Sequence, residues 1–138
     1  MESTAVELRR PLSGRDIALI GFARLTLRQI MSTAANLEPS RPAGIALTLP
    51  TQNQLAKALE QIITVMNASA YLTSNRLLTG RIGAKPRRPL PAWARNHVMV
   101  SLRNLQLVQR KRSTPNWVRP LLVIAIRVLE VVLGRRRA

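Results

Sequence analysis

Between Thr79 and Ala92 the chain reads T-G-R-I-G-A-K-P-R-R-P-L-P-A. Three prolines and two glycines there leave neither a helix nor a central strand available. A linker over residues 81–92 follows, with one folded region on each side of it. The charge balance changes at nearly the same place. Residues 1–70 carry seven basic and five acidic side chains, a net +2, whereas residues 71–138 carry fifteen basic and one acidic, a net +14. A near-neutral scaffold joined to a strongly cationic region is the pattern of a protein that grips a polyanion.

The rest of the composition narrows the fold. Hydrophobic residues make up 46% of the 138, too many for a wholly disordered chain. Aromatic residues make up only 3%: Phe22, Tyr71, Trp93 and Trp117. A core of Leu, Ile, Val and Ala is therefore small, and a second copy of the chain would help to cover it. There is no cysteine, so disulfides, thiolate zinc and thiol catalysis are excluded. Met1–Leu12 lacks an apolar core of signal-peptide length, and no stretch reaches the ~18 apolar residues of a spanning helix. An intracellular location, cytoplasmic or nuclear, is the expectation.

Helical signals dominate the first region. Residues 1–12 are polar enough for a mobile arm. Ser13 and Asp16 then form an S-x-x-D start, which predicts a helix over Arg15–Ala34 burying some of Ile17, Ile20, Phe22, Leu25, Leu27 and Ile30. Pro39, Pro42, Gly44 and Pro50 put a loop at 36–50, with room for an extended piece at Ile45–Leu49. Thr51 and Gln54 read as a capping box, followed by a stripe of Leu55, Leu59, Ile62 and Met66, with Lys57 and Gln61 facing away. That helix is expected to end near Asn67. A second short helix, Ser69–Leu78, is expected to stop at Gly80.

Thr51–Leu59 also resembles the first helix of a repressor-type helix-turn-helix. Such a motif implies a tight turn and a recognition helix directly afterwards. Glu60–Met66 continues the stripe instead, so sequence-specific DNA reading is not expected.

Beyond the linker, Pro91-Ala-Trp93-Ala-Arg95 is echoed by Pro115-Asn-Trp117-Val-Arg119. Each unit leads into an aliphatic stem and then a basic triplet. In the first stem Val98, Leu102, Leu105 and Val108 share one face, with Arg103, Gln106 and Arg110 on the other. The second stem, Leu121–Leu133, is apolar nearly all round and rich in β-branched residues. Its length and Pro120 favour a helix, with a buried strand as the alternative. The architecture expected is all-α: a small helical bundle with an N-terminal arm (1–12), a scaffold (13–80), a basic linker (81–92) and a cationic region (93–138), in one or two copies.

The residues for enzyme chemistry are few. One histidine, His97, and six scattered acids form no acid–base pair by spacing, and His97 reads as an ordinary polar helix residue. No phosphate-loop or metal-ligand spacing is present, so no cofactor, metal or small-molecule substrate is expected. The function expected is non-catalytic binding of nucleic acid, RNA in preference, as in a small packaging, ribonucleoprotein or viral accessory protein. The candidate contacts are Lys85, Arg87, Arg88, Arg95, Arg103, Arg110, Lys111, Arg112, Arg135, Arg136 and Arg137, with Trp93 and Trp117 as stacking surfaces. The same tryptophans could instead anchor their helices in the core. The alternative use of the C-terminal segment is docking on an anionic membrane surface or a host protein.

Overall fold

A computed structural model describes residues 12–37, 46–79 and 90–135. Four helices carry this structure: α1 (Gly14–Leu37), α2 (Leu49–Thr79), α3 (Ala92–Arg110) and α4 (Arg119–Val132). Among the described residues there is no strand. The helices close a ring of contacts, α1 on α2, α2 on α3, α3 on α4 and α4 on α1, around one shared core. The linker at 81–92 therefore does not separate two cores. Residues from both sides of it, such as Ile62 and Leu102, are buried in the same cluster.

α1 starts where its sequence says. The Ser13 Oγ accepts a hydrogen bond from the Asp16 amide at 3.1 Å, which satisfies one of the orphan donors of the first turn. Leu12, assigned above to the arm, is buried in the core; residues 1–11 lie outside the described residues. The inward line of α1 is Ile20, Ala23, Leu27, Ile30 and Ala34. Phe22 and Leu25 point the other way, 51% and 62% exposed, so that Ile20, Leu27 and Ile30 are the buried members of the expected set. Gly21 lies against α2, where a Cβ would stand 3.5 Å from Met66 Cε.

α2 begins one turn earlier than its expected cap. Thr48, not Thr51, closes the helix start: its Oγ1 accepts from the Thr51 amide at 3.4 Å and donates to Thr51 Oγ1 at 2.9 Å. Pro50 is the reason. Within the first turn its missing N–H costs nothing and its fixed φ suits the helix, so the start moves ahead of it. Thr51 is left inside the helix and buried. Leu49, expected at the end of an extended piece, is the first helical residue.

The break expected near Asn67 does not occur. Residues 67–70 are Asn-Ala-Ser-Ala, with no proline or glycine, and the buried Ser69 hydroxyl donates back to the Val65 carbonyl at 2.7 Å. α2 is one continuous helix through Thr79, and the tight turn of a helix-turn-helix is absent from it. Its innermost line is Leu55, Ala58, Ile62, Val65 and Ser69, while Leu59 and Met66 flank that line, half-buried.

α3 matches its amphipathic reading. Val98, Leu102, Leu105 and Val108 are buried, joined by Ala94 and Ser101, and Arg103 and Arg110 are exposed. α4 settles the choice between helix and strand. Leu122, Ala125, Ile126, Leu129 and Val132 are buried at i, i+3, i+4, i+7 and i+10, the period of a helix that presents one side to the core. Val123 and Ile124 stay partly outside, at 36% and 41% exposure.

Candidate nucleic-acid interface

The chain leaves α3 through a corner in which the Val108, Gln109 and Lys111 carbonyls are engaged. The Val108 carbonyl accepts from the Lys111 amide at 3.2 Å and from the buried Thr114 hydroxyl at 2.5 Å. Arg119, at the start of α4, reaches two further carbonyls of the corner, that of Lys111 being shared with the Thr114 amide at 3.3 Å. Its Nη1 donates to Gln109 O at 3.1 Å and its Nη2 to Lys111 O at 3.0 Å. A guanidinium suits this position twice over, because its planar fork reaches two acceptors and its charge meets the negative end of the α3 dipole. Arg119 thus belongs to the frame, a role the sequence reading did not assign it.

On that frame stands the first basic triplet. Arg110 and Arg112 are exposed and Lys111 is half-buried, held by a backbone the corner makes rigid. Arg103 is exposed two helical turns before Arg110, on the same outward side of α3. Arg95 does not extend this line. It is half-buried and rotated by about 80° from Arg103 at the usual 3.6 residues per turn. Arg127 is exposed on α4.

Arg135, the described member of the second triplet, is not brought to the first. Arg119 ties the start of α4 to the end of α3, and Arg135 follows the far end of α4. Its fourteen residues span about 21 Å. Arg135 is exposed just past Gly134. Lys85, Arg87, Arg88, Arg136 and Arg137 lie outside the described residues.

The two tryptophans part company. Both pack half-buried against the core. Trp117, however, sits in the turn ahead of α4, whereas Trp93 is the second residue of α3 and lines a cleft between α2 and α3. That cleft has a volume of about 500 Å³ and is also lined by Thr64, Asn67, Tyr71, Leu72 and His97. His97 is fixed there by a hydrogen bond between its Nδ1 and Gln61 Oε1. Gln61, expected to face away, is half-buried and makes this link across the two helices.

Sequence reasoning missed the cleft because its two walls lie on either side of the linker. Residues 64–72 and 93–97 carry no shared motif. Among the described residues no group of three or more His, Cys, Asp or Glu gathers as a metal site. None of the helices is long and apolar enough to cross a membrane. No family model matches the chain, and no curated protein or solved structure is similar enough to match it. The interface must therefore be judged on its own geometry.

Proposed function

We propose that this protein is a four-helix bundle that binds nucleic acid without catalysis, favouring single-stranded RNA, through phosphate contacts from the outward side of α3 and the α3–α4 corner. One observation carries the reading. Residues 90–135 hold eight basic side chains against one acid, Glu130, and Arg103, Arg110, Arg112, Arg127 and Arg135 are all exposed. Exposed guanidinium groups on a rigid frame lose little on ordering and can meet phosphate oxygens in pairs. With so few acids nearby, that charge is not neutralised within this part of the chain, which favours a polyanionic partner.

A second reading has its own observation. The outward side of α4 exposes Val123 and Ile124 beside Arg127, a small apolar strip with a cation, as an anionic lipid surface would accept. The strip is short, and the arginines extend well beyond it along α3, so nucleic acid is the better fit.

Salt dependence tests both. Binding of a fluorescent 12-nucleotide RNA should weaken linearly on a log–log scale, by roughly 0.7 in slope for each phosphate engaged. Replacing Arg110, Lys111 and Arg112 with Ala should flatten the slope by up to about two units. The corner should survive, because it uses only the backbone carbonyls of Gln109 and Lys111. Flotation with phosphatidylserine vesicles, together with no RNA binding at low salt, would transfer the arginines to the lipid reading.

A further inference from the structure

We infer that the α2–α3 cleft is the seat of one unpaired base of the bound strand, a site that builds on the nucleic-acid reading above. The cleft's volume of about 500 Å³ falls within the ~300–1,000 Å³ typical of small-ligand sites. Its walls suit a flat heteroaromatic ring. Trp93 and Tyr71 line it from opposite helices, and Leu72 adds an apolar surface. Tyr71, the single aromatic residue of α2, is 66% exposed and is thus accessible to a ligand.

The polar groups at the cleft are hydroxyls, ring nitrogens and an amide. The Thr64 hydroxyl donates to the Glu60 carbonyl at 2.9 Å, so its lone pairs are what it can offer. Gln61 Oε1 is an acceptor, so His97 Nδ1 carries the proton between them, and His97 Nε2 can accept in the neutral tautomer. Asn67 is exposed and offers both a donor and an acceptor. Among the described residues that line the cleft there is no Lys, Arg, Asp or Glu. Its hydroxyl, imidazole and amide groups offer a base edge partners for its amino, imino and carbonyl groups.

Arg103 lies six residues beyond His97, about 9 Å along the α3 axis and about a third of a turn round it, and Arg110 about 10 Å further on the same side as Arg103. An aromatic seat on the helix that carries a line of arginines is the division of labour that single-strand binding requires. The base stacks, and the backbone that follows is held by charge. A duplex cannot use the seat, because its bases are already stacked and paired.

Trp93 reports on the cleft directly once Trp117→Phe makes it the only tryptophan. Titrating that variant with a 12-nucleotide single strand should quench Trp93 emission, saturating together with the anisotropy of the labelled strand. A blunt duplex of the same length should bind without quenching. In the otherwise unchanged chain, Tyr71→Ala should weaken single-strand binding roughly 5- to 100-fold and leave the salt slope as it was. Steep salt dependence with silent Trp93 and an indifferent Tyr71→Ala would overturn the seat while sparing the phosphate reading. Absence of any strand binding at low salt would overturn both. Quenching by a free nucleoside or an apolar dye, but never by a strand, would make the cleft a small-molecule site and overturn the inference.

Discussion

Two segments of this chain begin with the same pattern, P-x-W-x-R, and end on a run of basic residues, yet they are built differently. In the first, Pro91 precedes the helix, Trp93 lies in its first turn and Arg95 is half-buried on its side. In the second, Pro115 and Trp117 lie in the connecting turn, and helix α4 starts only at Arg119. The ends differ as well. α3 stops at Lys111 in an extended conformation, its carbonyls covered by Thr114 and the Arg119 clamp. α4 stops at Gly134, whose φ of +79° lets its own amide bond Val131 O at 3.0 Å and the Arg135 amide bond Glu130 O at 2.8 Å. The first helix is ended by side chains from its neighbour, the second by its own backbone. Similar letters therefore do not mark equivalent arginines: the fifth residue of one unit, Arg95, stands half-buried on the side of α3, and that of the other, Arg119, is committed to closing a helix end.

The sharpest way to break this contrast is Arg119→Ala. It removes two charge-assisted bonds and leaves the Gln109 carbonyl to find another donor, while that of Lys111 keeps the Thr114 amide. A cost of about 2 kcal/mol is expected, read as lower stability in urea. Arg119→Lys should recover only part of it, since a single ammonium cannot reproduce the planar fork. If Arg119→Ala melts like the parent, the clamp contributes nothing and the corner is held by Thr114 alone.

The end of α4 should respond more weakly. Gly134→Ala places a Cβ on a residue in left-handed conformation, at a cost of about 1 kcal/mol. No described atom lies within 4 Å of where that Cβ would stand, so backbone strain is the whole effect. Gly134→Asn, which tolerates this region better, should cost less than Ala. Thermal melts of the three proteins rank them, and equal melts would mean that α4 ends without depending on the glycine.

The same contrast shows what could be read in advance. The face of α3 was legible because its apolar and charged positions are sharply divided, Val98, Leu102, Leu105 and Val108 against Arg103 and Arg110. That of α2 was read slightly off axis. Leu59 and Met66 were counted because they are large, yet the small Ala58 is buried completely and lets the neighbouring helices approach. On α1 the apolar residues alone did not single out the buried face, because Phe22 and Leu25 stand on its outer side. The beginning of α2 turned on Pro50, which permits a helix start before it as readily as after it. The cleft had no local signature, since Gln61 and His97 are 36 residues apart and only the packing of α2 on α3 joins them. Of the two candidate stacking residues, composition could not tell Trp93, at a cleft, from Trp117, in a turn.

The smallest effect expected is that of Arg95→Ala, and it is the one that bears most directly on the comparison. Arg95 occupies the motif position of Arg119, but among the described residues it forms no clamp on helix-end carbonyls like that of Arg119. It sits near the start of α3, where the helix dipole disfavours a cation. Removing it should change stability by less than about 0.5 kcal/mol in either direction. It also lies off the line of Arg103 and Arg110, so it should take little from the salt slope of strand binding. Arg103→Ala, by contrast, should lower that slope by about 0.7 if it engages one phosphate. Measuring both variants in parallel, by urea unfolding and by binding between low and moderate salt, separates position in a motif from position on a surface. A large loss of stability for Arg95→Ala would mean that the two units are equivalent after all, each using its arginine to lock a helix.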